Sequence, residues 1–246
     1  MTRREIIAIA VVLVIAALVL HAAHYLIFRD LHHVLIYGFG DIAFLPVEIL
    51  VISLVVDRVL HERERQALRY KMNMVVGTFF SALGQPLLQR MCHVLENRDE
   101  VRQCLAIGPD WTSDRIQQAK GTVPELRLKM RPEVSDMEAL RELLTDHRDF
   151  LLRLLQNPAL LEDEDFSDLL WALSHLQEEL AARDDLSNLP PSDVRHLIGD
   201  IHRVYGHLLR EWLEYMAHLN QEYPFLYSFQ ARTNPLRPDA SVTVTE

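Results

Sequence analysis

One stretch of the sequence carries the residue types for metal chemistry. His196, Asp200, Arg203, His207, Glu211, Glu214 and His218 recur at steps of three and four, so on a helix they share a face. Within that stripe His207 with Glu211, and Glu214 with His218, are i, i+4 pairs. Each pair can offer two ligands to one metal ion, as in metal-binding helical bundles. They make half a site. The other ligands must come from facing helices, where His147 and His175 are available but no matching Glu-x-x-His pair exists. A solvated face laced with ion pairs, worth about 0.3–0.5 kcal/mol each, explains the same stripe. His147 lies on an apolar stripe and reads most simply as a hydrogen-bonded core histidine.

A second group of polar residues sits inside apolar sequence. From Ile6 to Phe28 only His21 and His24 interrupt 23 residues that carry no formal charge, and about 20 suffice to cross a bilayer's hydrocarbon core. A second apolar stretch, Leu35 to Leu60, holds Asp41 and Glu48. An acid at the centre of a membrane helix costs about 2.5–3.5 kcal/mol, so such residues face partners rather than lipid. Asp41 falls near the depth of His21 and His24, which predicts an Asp41–histidine contact. Glu48 lies beside Pro46 near the middle of its span, where the first helix offers only Val12 to Ala17. It is either a proton or cation site at a subunit interface, or a protonated carboxyl that hydrogen-bonds a neighbour and holds helices together.

These segments predict a two-helix transmembrane hairpin, with helices over about 6–28 and 35–60. Arg3, Arg4 and the small Ala22 and Ala23 also fit a signal peptide, but the second stretch after the polar link 29–33 argues for an uncleaved anchor. Arg3 and Arg4 flank one end, and Arg58, Arg63, Arg65, Arg69 and Lys71 the other, while the link holds Arg29 offset by Asp30. By the excess of basic residues on the inner side, both termini are expected in the cytoplasm of a cell whose inner membrane holds the chain.

Charge divides the chain in the same way. Residues 1–71 hold 8 basic and 7 acidic side chains, net +1, and the remainder 17 and 28, net −11. An acidic domain repels phosphate backbones, so nucleic acid is not an expected partner. Cys92 and Cys104, placed on one helix, would stand about 18 Å apart and not pair. No zinc spacing, nucleophile elbow, phosphate loop or dinucleotide fingerprint occurs, so no cofactor and no catalytic residue is expected.

Beyond the membrane segments, the charged run from Asp57 continues the second helix into a stalk over 61–106. Met72, Val75, Val76, Phe79, Phe80, Leu83 and Leu87 give it an apolar face, and Pro86 is expected to kink or break it near Leu83. That face packs on the domain that follows, forms a seam between subunits, or lies in the membrane interface, the last opposed by its shortage of lysine and arginine. An irregular connector, 107–136, with Gly108, Pro109, Gly121, Pro124 and Pro132, includes a short helix starting near Ser113. An acidic helical bundle over 137–230 follows. Its first helix is capped by Ser135 and Glu138 and ends at Asn157-Pro158, the next opens on Glu162 to Asp165, and the longest starts at the N-cap Ser192. Tyr223, Phe225, Tyr227 and Phe229 alternate with period two after Pro224, which predicts an extended aromatic segment docked in a groove. Residues 231–246 read as a loose tail.

The run RDFLLRLLQNPALLEDEDFSDLLWALSHLQEEL (148–180), the run DIHRVYGHLLREWLEYMAHLNQEYPFLYSFQARTNP (200–235) and MNMVVGTFF (72–80) resemble a family of small prokaryotic membrane proteins with no assigned activity. The resemblance covers most of the chain from about Met72 to Pro235. It implies a helical cytoplasmic domain and carries no functional residues. The expected architecture is all-α, a transmembrane hairpin continuing through a stalk into a small bundle. The expected role is a membrane-anchored helical interaction, signalling or scaffold module without catalysis, partnered by the lipid bilayer, by further copies of itself and by a protein on the cytoplasmic domain. The alternative is a small ion or proton transport component using Asp41 and Glu48.

Overall fold

The computed structural model describes residues 3–123, 126–158, 160 and 163–243. Pro124 of the expected connector, Glu162 of the expected acidic helix start and the last three residues of the tail lie outside these. The chain is all-α and divides into two compact units, Met1–Gln66 and Ala67–Glu246.

In the first unit α1 spans Arg3–Phe28 and α2 starts at Leu31, running to Phe79 in the second. Only Arg29 and Asp30 separate them, because nothing in Leu31 to Val34 opposes helix. Arg29 turns the chain in the left-handed region (φ 47°), and its N–H donates to the Tyr25 carbonyl at 2.8 Å. The second helix passes through Pro46, which removes the N–H that would meet the Ile42 carbonyl. Of the described side chains in α1 only Ala23 and His24 are partly covered, and in α2 as far as Arg65 only Gly38. Phe39 is 77% exposed. Both helices are long and apolar enough to cross a membrane, and no residue of Ile7–Ile27 is buried.

The second unit has a core of its own. The last turns of α2 bury Val76 and Phe79, and Phe80–Gly84 form a π-helical turn before α3, Gln85–Val94. Pro86 therefore does not end the helix. The wider turn absorbs the missing donor, with the Gln85 N–H donating to the Phe80 carbonyl and Pro86 sitting in the first turn of α3, where no intrahelical N–H is needed. Phe80 is fully buried and stacks on Tyr215, ring centroids 4.9 Å apart. The expected stalk face is thus covered by the domain that follows it.

The remaining helices are α4 (Arg98–Leu105), α5 (Ser113–Thr122), α6 (Val134–Asp146), α7 (Arg148–Leu155), α8 (Glu164–Ala181), α9 (Pro191–Glu222) and α10 (Pro224–Arg232). Long α9 runs through the core, with Trp212 and Leu208 fully buried, and packs against α8, α5 and α10.

Local chemistry corrects several boundaries. Cys92 and Cys104 are not on one helix, since the chain turns between α3 and α4, and both thiols are free. The helix expected from Ser135 to Asn157 is broken at His147, whose Nδ1 donates to the Leu143 carbonyl at 2.9 Å; the ring is half-buried, not core. That helix is capped by Glu133 and Asp136, directly after Pro132, rather than by Ser135 and Glu138. On α9 the cap is Pro190, two residues before Ser192, because Pro191 has the φ of a first helical turn. In α8 the Asp163 carboxylate caps the helix, accepting from the Phe166 N–H at 3.1 Å.

The aromatic segment is helical, not extended. Pro224 starts α10, and burial then follows Tyr227, Gln230 and Ala231 at a helical spacing while Phe225 and Phe229 stay exposed. Nor is the tail loose as far as Leu236. Buried Asn234 donates to the carbonyls of Leu105 and Ile107 at 3.1 and 3.3 Å, where the chain leaves α4, and Leu236 is fully buried beside it.

Candidate functional site

The antiparallel pair α8 and α9 carries a ladder of charged contacts along one seam. Arg183 opposes Asp193, Glu179 opposes His196, His175 opposes Asp200, and Asp165 opposes Arg210, so partner numbers fall on α9 as they rise on α8. The top rung is the strongest. Arg183 grips Asp193 with two parallel bonds at 2.8 and 2.7 Å and also reaches Glu179 at 2.7 Å. Its guanidinium holds both the Glu179 and the Asp193 carboxyl below their ordinary values.

Below that clamp two i, i+4 pairs face each other: His175 and Glu179 on α8, His196 and Asp200 on α9. Asp200 is 3% exposed. Its Oδ1 accepts from Arg203 at 2.7 Å, while Oδ2 is buried without a hydrogen-bond partner. Both imidazoles point Nε2 at that bare oxygen, His196 from 3.3 Å and His175 from 3.6 Å. Glu179 closes the far side, with Oε2 at 3.6 Å from His196 Nε2 and Oε1 at 4.0 Å from His175 Nε2. One ligand atom each from His175, His196 and Asp200 lies within 4.8 Å of the other two.

The ligand set expected from the sequence, His207, Glu211, Glu214 and His218, is not brought together. Glu214 ion-pairs with Lys120 of α5. His218 Nδ1 accepts from the Asn73 amide of α2 at 3.2 Å, and burial lowers its pKa. His207 is half-buried, with Nδ1 unpartnered, and burial lowers its pKa as well. Glu211 is buried at 5% exposure, and its pKa is pushed up to about 8, first by burial and then by Asp163, Asp165 and Glu214, with Lys120 opposing. A helix of this length passes several different neighbours, so residues on one stripe meet different elements. Among the intramembrane candidates, Asp41 and Glu48 are exposed, and neither forms a hydrogen bond or ion pair within the described residues. The expected Asp41–histidine contact is absent, and His21 Nδ1 donates instead to its own helix at the Ala17 carbonyl, 2.9 Å away.

Family models match the chain twice, as "MJ1433, N-terminal helical domain" over residues 2–60 and "Uncharacterized protein MJ1433, C-terminal helical domain" over 68–232. The chain belongs to the MJ1433 family. Its similarity to the uncharacterized protein MJ1433 of Methanocaldococcus jannaschii is 39% identity over 234 residues, 95% of this chain and 94% of that protein. No solved structure matches it. The two family domains meet where the two compact units do, and no activity is assigned to either.

The site in this family member is partly legible in the sequence. Spacing puts His196 and Asp200 on the α9 stripe and offers His175 as a partner for the pairs further along it, whereas the structure brings His175 to Asp200. The usable signal was complementarity along antiparallel neighbours. Once Arg183 and Asp193 are paired across the short turn between α8 and α9, His175 and Glu179 must fall opposite Asp200 and His196.

Proposed function

We propose that this family member is a membrane-anchored helical interaction module, in which α1 and the first part of α2 cross the bilayer and the acidic second unit works at its cytoplasmic face. One observation carries the proposal: α1, and α2 as far as Arg65, cover almost none of their described apolar side chains with protein. A contiguous apolar surface this long is stable in lipid and drives aggregation in water. The basic residues Arg3 and Arg4, and Arg58, Arg63, Arg65, Arg69 and Lys71, support cytoplasmic placement of both ends. Unpartnered Asp41 and Glu48 support self-association, which would cover acids that are costly against lipid. Exposed Phe225, Leu226 and Phe229 on α10 are the surface on offer to a protein partner.

Membrane fractionation with alkaline washing, followed by protease treatment of spheroplasts carrying tags at either end, tests this directly. The full chain stays in the washed membrane pellet, and neither tag is cut until the membrane is broken. Recovery in the aqueous fraction, or cleavage of either tag from outside, would overturn it.

A further inference from the structure

We propose that His175, His196 and Asp200 bind one divalent transition-metal ion between α8 and α9, with Glu179 beside its fourth coordination position. A four-coordinate zinc-type ion with bonds of about 2.0–2.2 Å places its ligand atoms roughly 3.3–3.6 Å apart along each tetrahedral edge. The two imidazole nitrogens already stand 3.3 and 3.6 Å from the Asp200 oxygen. The remaining edge, between the histidines, is at most 4.8 Å, and both rings are about half exposed.

The buried carboxylate is what separates this cluster from a surface ion pair. Asp200 Oδ2 is inside the protein, unsatisfied and aimed at both nitrogens, while Arg203 on Oδ1 fixes the direction in which Oδ2 points. A bare buried carboxylate oxygen is costly and calls for a cation. Glu179, Asp193 and Asp200 against Arg183 and Arg203 leave one net negative charge at the site when the histidines are neutral. Two imidazoles with carboxylate oxygen select zinc, cobalt, nickel or iron over magnesium and calcium, which prefer all-oxygen shells. Ligands about one turn apart on facing helices are also how helical bundles build metal sites in their cores.

The test uses full-length protein in detergent, stripped with chelator and titrated calorimetrically with zinc chloride at pH 7.5. Cobalt(II) is added in parallel to read the visible absorption of a tetrahedral ion. One equivalent of zinc binds, and His196→Gln and Asp200→Asn each weaken it by at least about tenfold and abolish the cobalt spectrum. His202→Gln, an exposed histidine on the same helix, leaves both unchanged. Helical circular dichroism is followed throughout, and His175→Gln, at a half-exposed position, gives a second variant should Asp200→Asn unfold. If no stoichiometric zinc binds, or His196→Gln and His175→Gln bind it as the unaltered protein does, the cluster is an ion-pair network only and the proposal fails.

Discussion

Replacing Glu211 by Gln should convert a pH-dependent protein into a more stable and less pH-dependent one. The carboxyl is 5% exposed, and its folded pKa of about 8 stands well above the ordinary 4.5. Because the folded value is the higher, the folded protein holds this proton more tightly than the unfolded chain does. The protonated form's advantage is complete below pH 4.5. It is lost as the pH rises, because between 4.5 and 8 the unfolded chain ionises while the folded one does not. Each pH unit across that window removes about 1.36 kcal/mol, giving a ceiling of about 5 kcal/mol by pH 9. For a domain of this size that corresponds to roughly 10 °C or more in Tm.

Burial is the main cause, so the neutral amide, with nearly the same shape, escapes it. Thermal unfolding of the two full-length proteins in one detergent, followed by tryptophan fluorescence at pH 5, 6, 7, 8 and 9, measures the difference. Near pH 5 the two melt within a few degrees of each other, and the gap then widens in favour of Glu211→Gln up to about pH 8. A gap that stays constant from pH 5 to pH 9, or a variant less stable at pH 9, would refute the assignment of a buried, proton-holding carboxyl. Burial lowers the His207 pKa, and that residue is common to both proteins.

Gly84→Ala should cost about 1–3 kcal/mol, measured by denaturant unfolding: a Cβ there would overlap the Phe80 ring, which is fully buried and stacked on Tyr215. Arg183→Ala should lower the Tm and flatten the acid side of the stability curve. Arg183 holds the Glu179 and Asp193 carboxyls below their ordinary 4.5 and 3.8, so the stability it brings is present above those values and lost as the pH falls through and below them. A variant whose acid limb matches the unaltered protein's would show that the clamp is not made.

Periodicity made the helices legible, because an apolar stripe at three- and four-residue steps can be buried only as a helix. It failed at Tyr223 to Phe229, where aromatic spacing of two matches a strand but Pro224 supplies a first helical turn and only Tyr227 of the four aromatics is buried. The irregularity that Pro86 predicts near Leu83 is there, but as a π turn over Phe80–Gly84 rather than a break, a form that leaves no mark in hydropathy. The docking of Asn234 on the Leu105 and Ile107 carbonyls was likewise out of reach, because it joins residues 129 and 127 apart.

The ligand stripe on α9 shows where single-helix reasoning stops. Spacing says which residues share a face but not which neighbour that face meets, and here the neighbour changes along the helix: α8 beside His196 and Asp200, α5 beside Glu214, α2 beside His218. Register between α8 and α9 is decided outside the stripe, by Arg183 and Asp193 at the turn, since a two-bond clamp tolerates no slip by a helical turn. From that rung each step of about one turn down α8 pairs with one up α9, bringing Glu179 to His196, His175 to Asp200 and, further on, Asp165 to Arg210. A slip of four residues would set Glu179 against Asp200 and leave two buried or half-buried acids face to face. The charge pattern therefore opposes the wrong register as well as favouring the right one, and the convergence of two histidines on Asp200 follows from the same constraint.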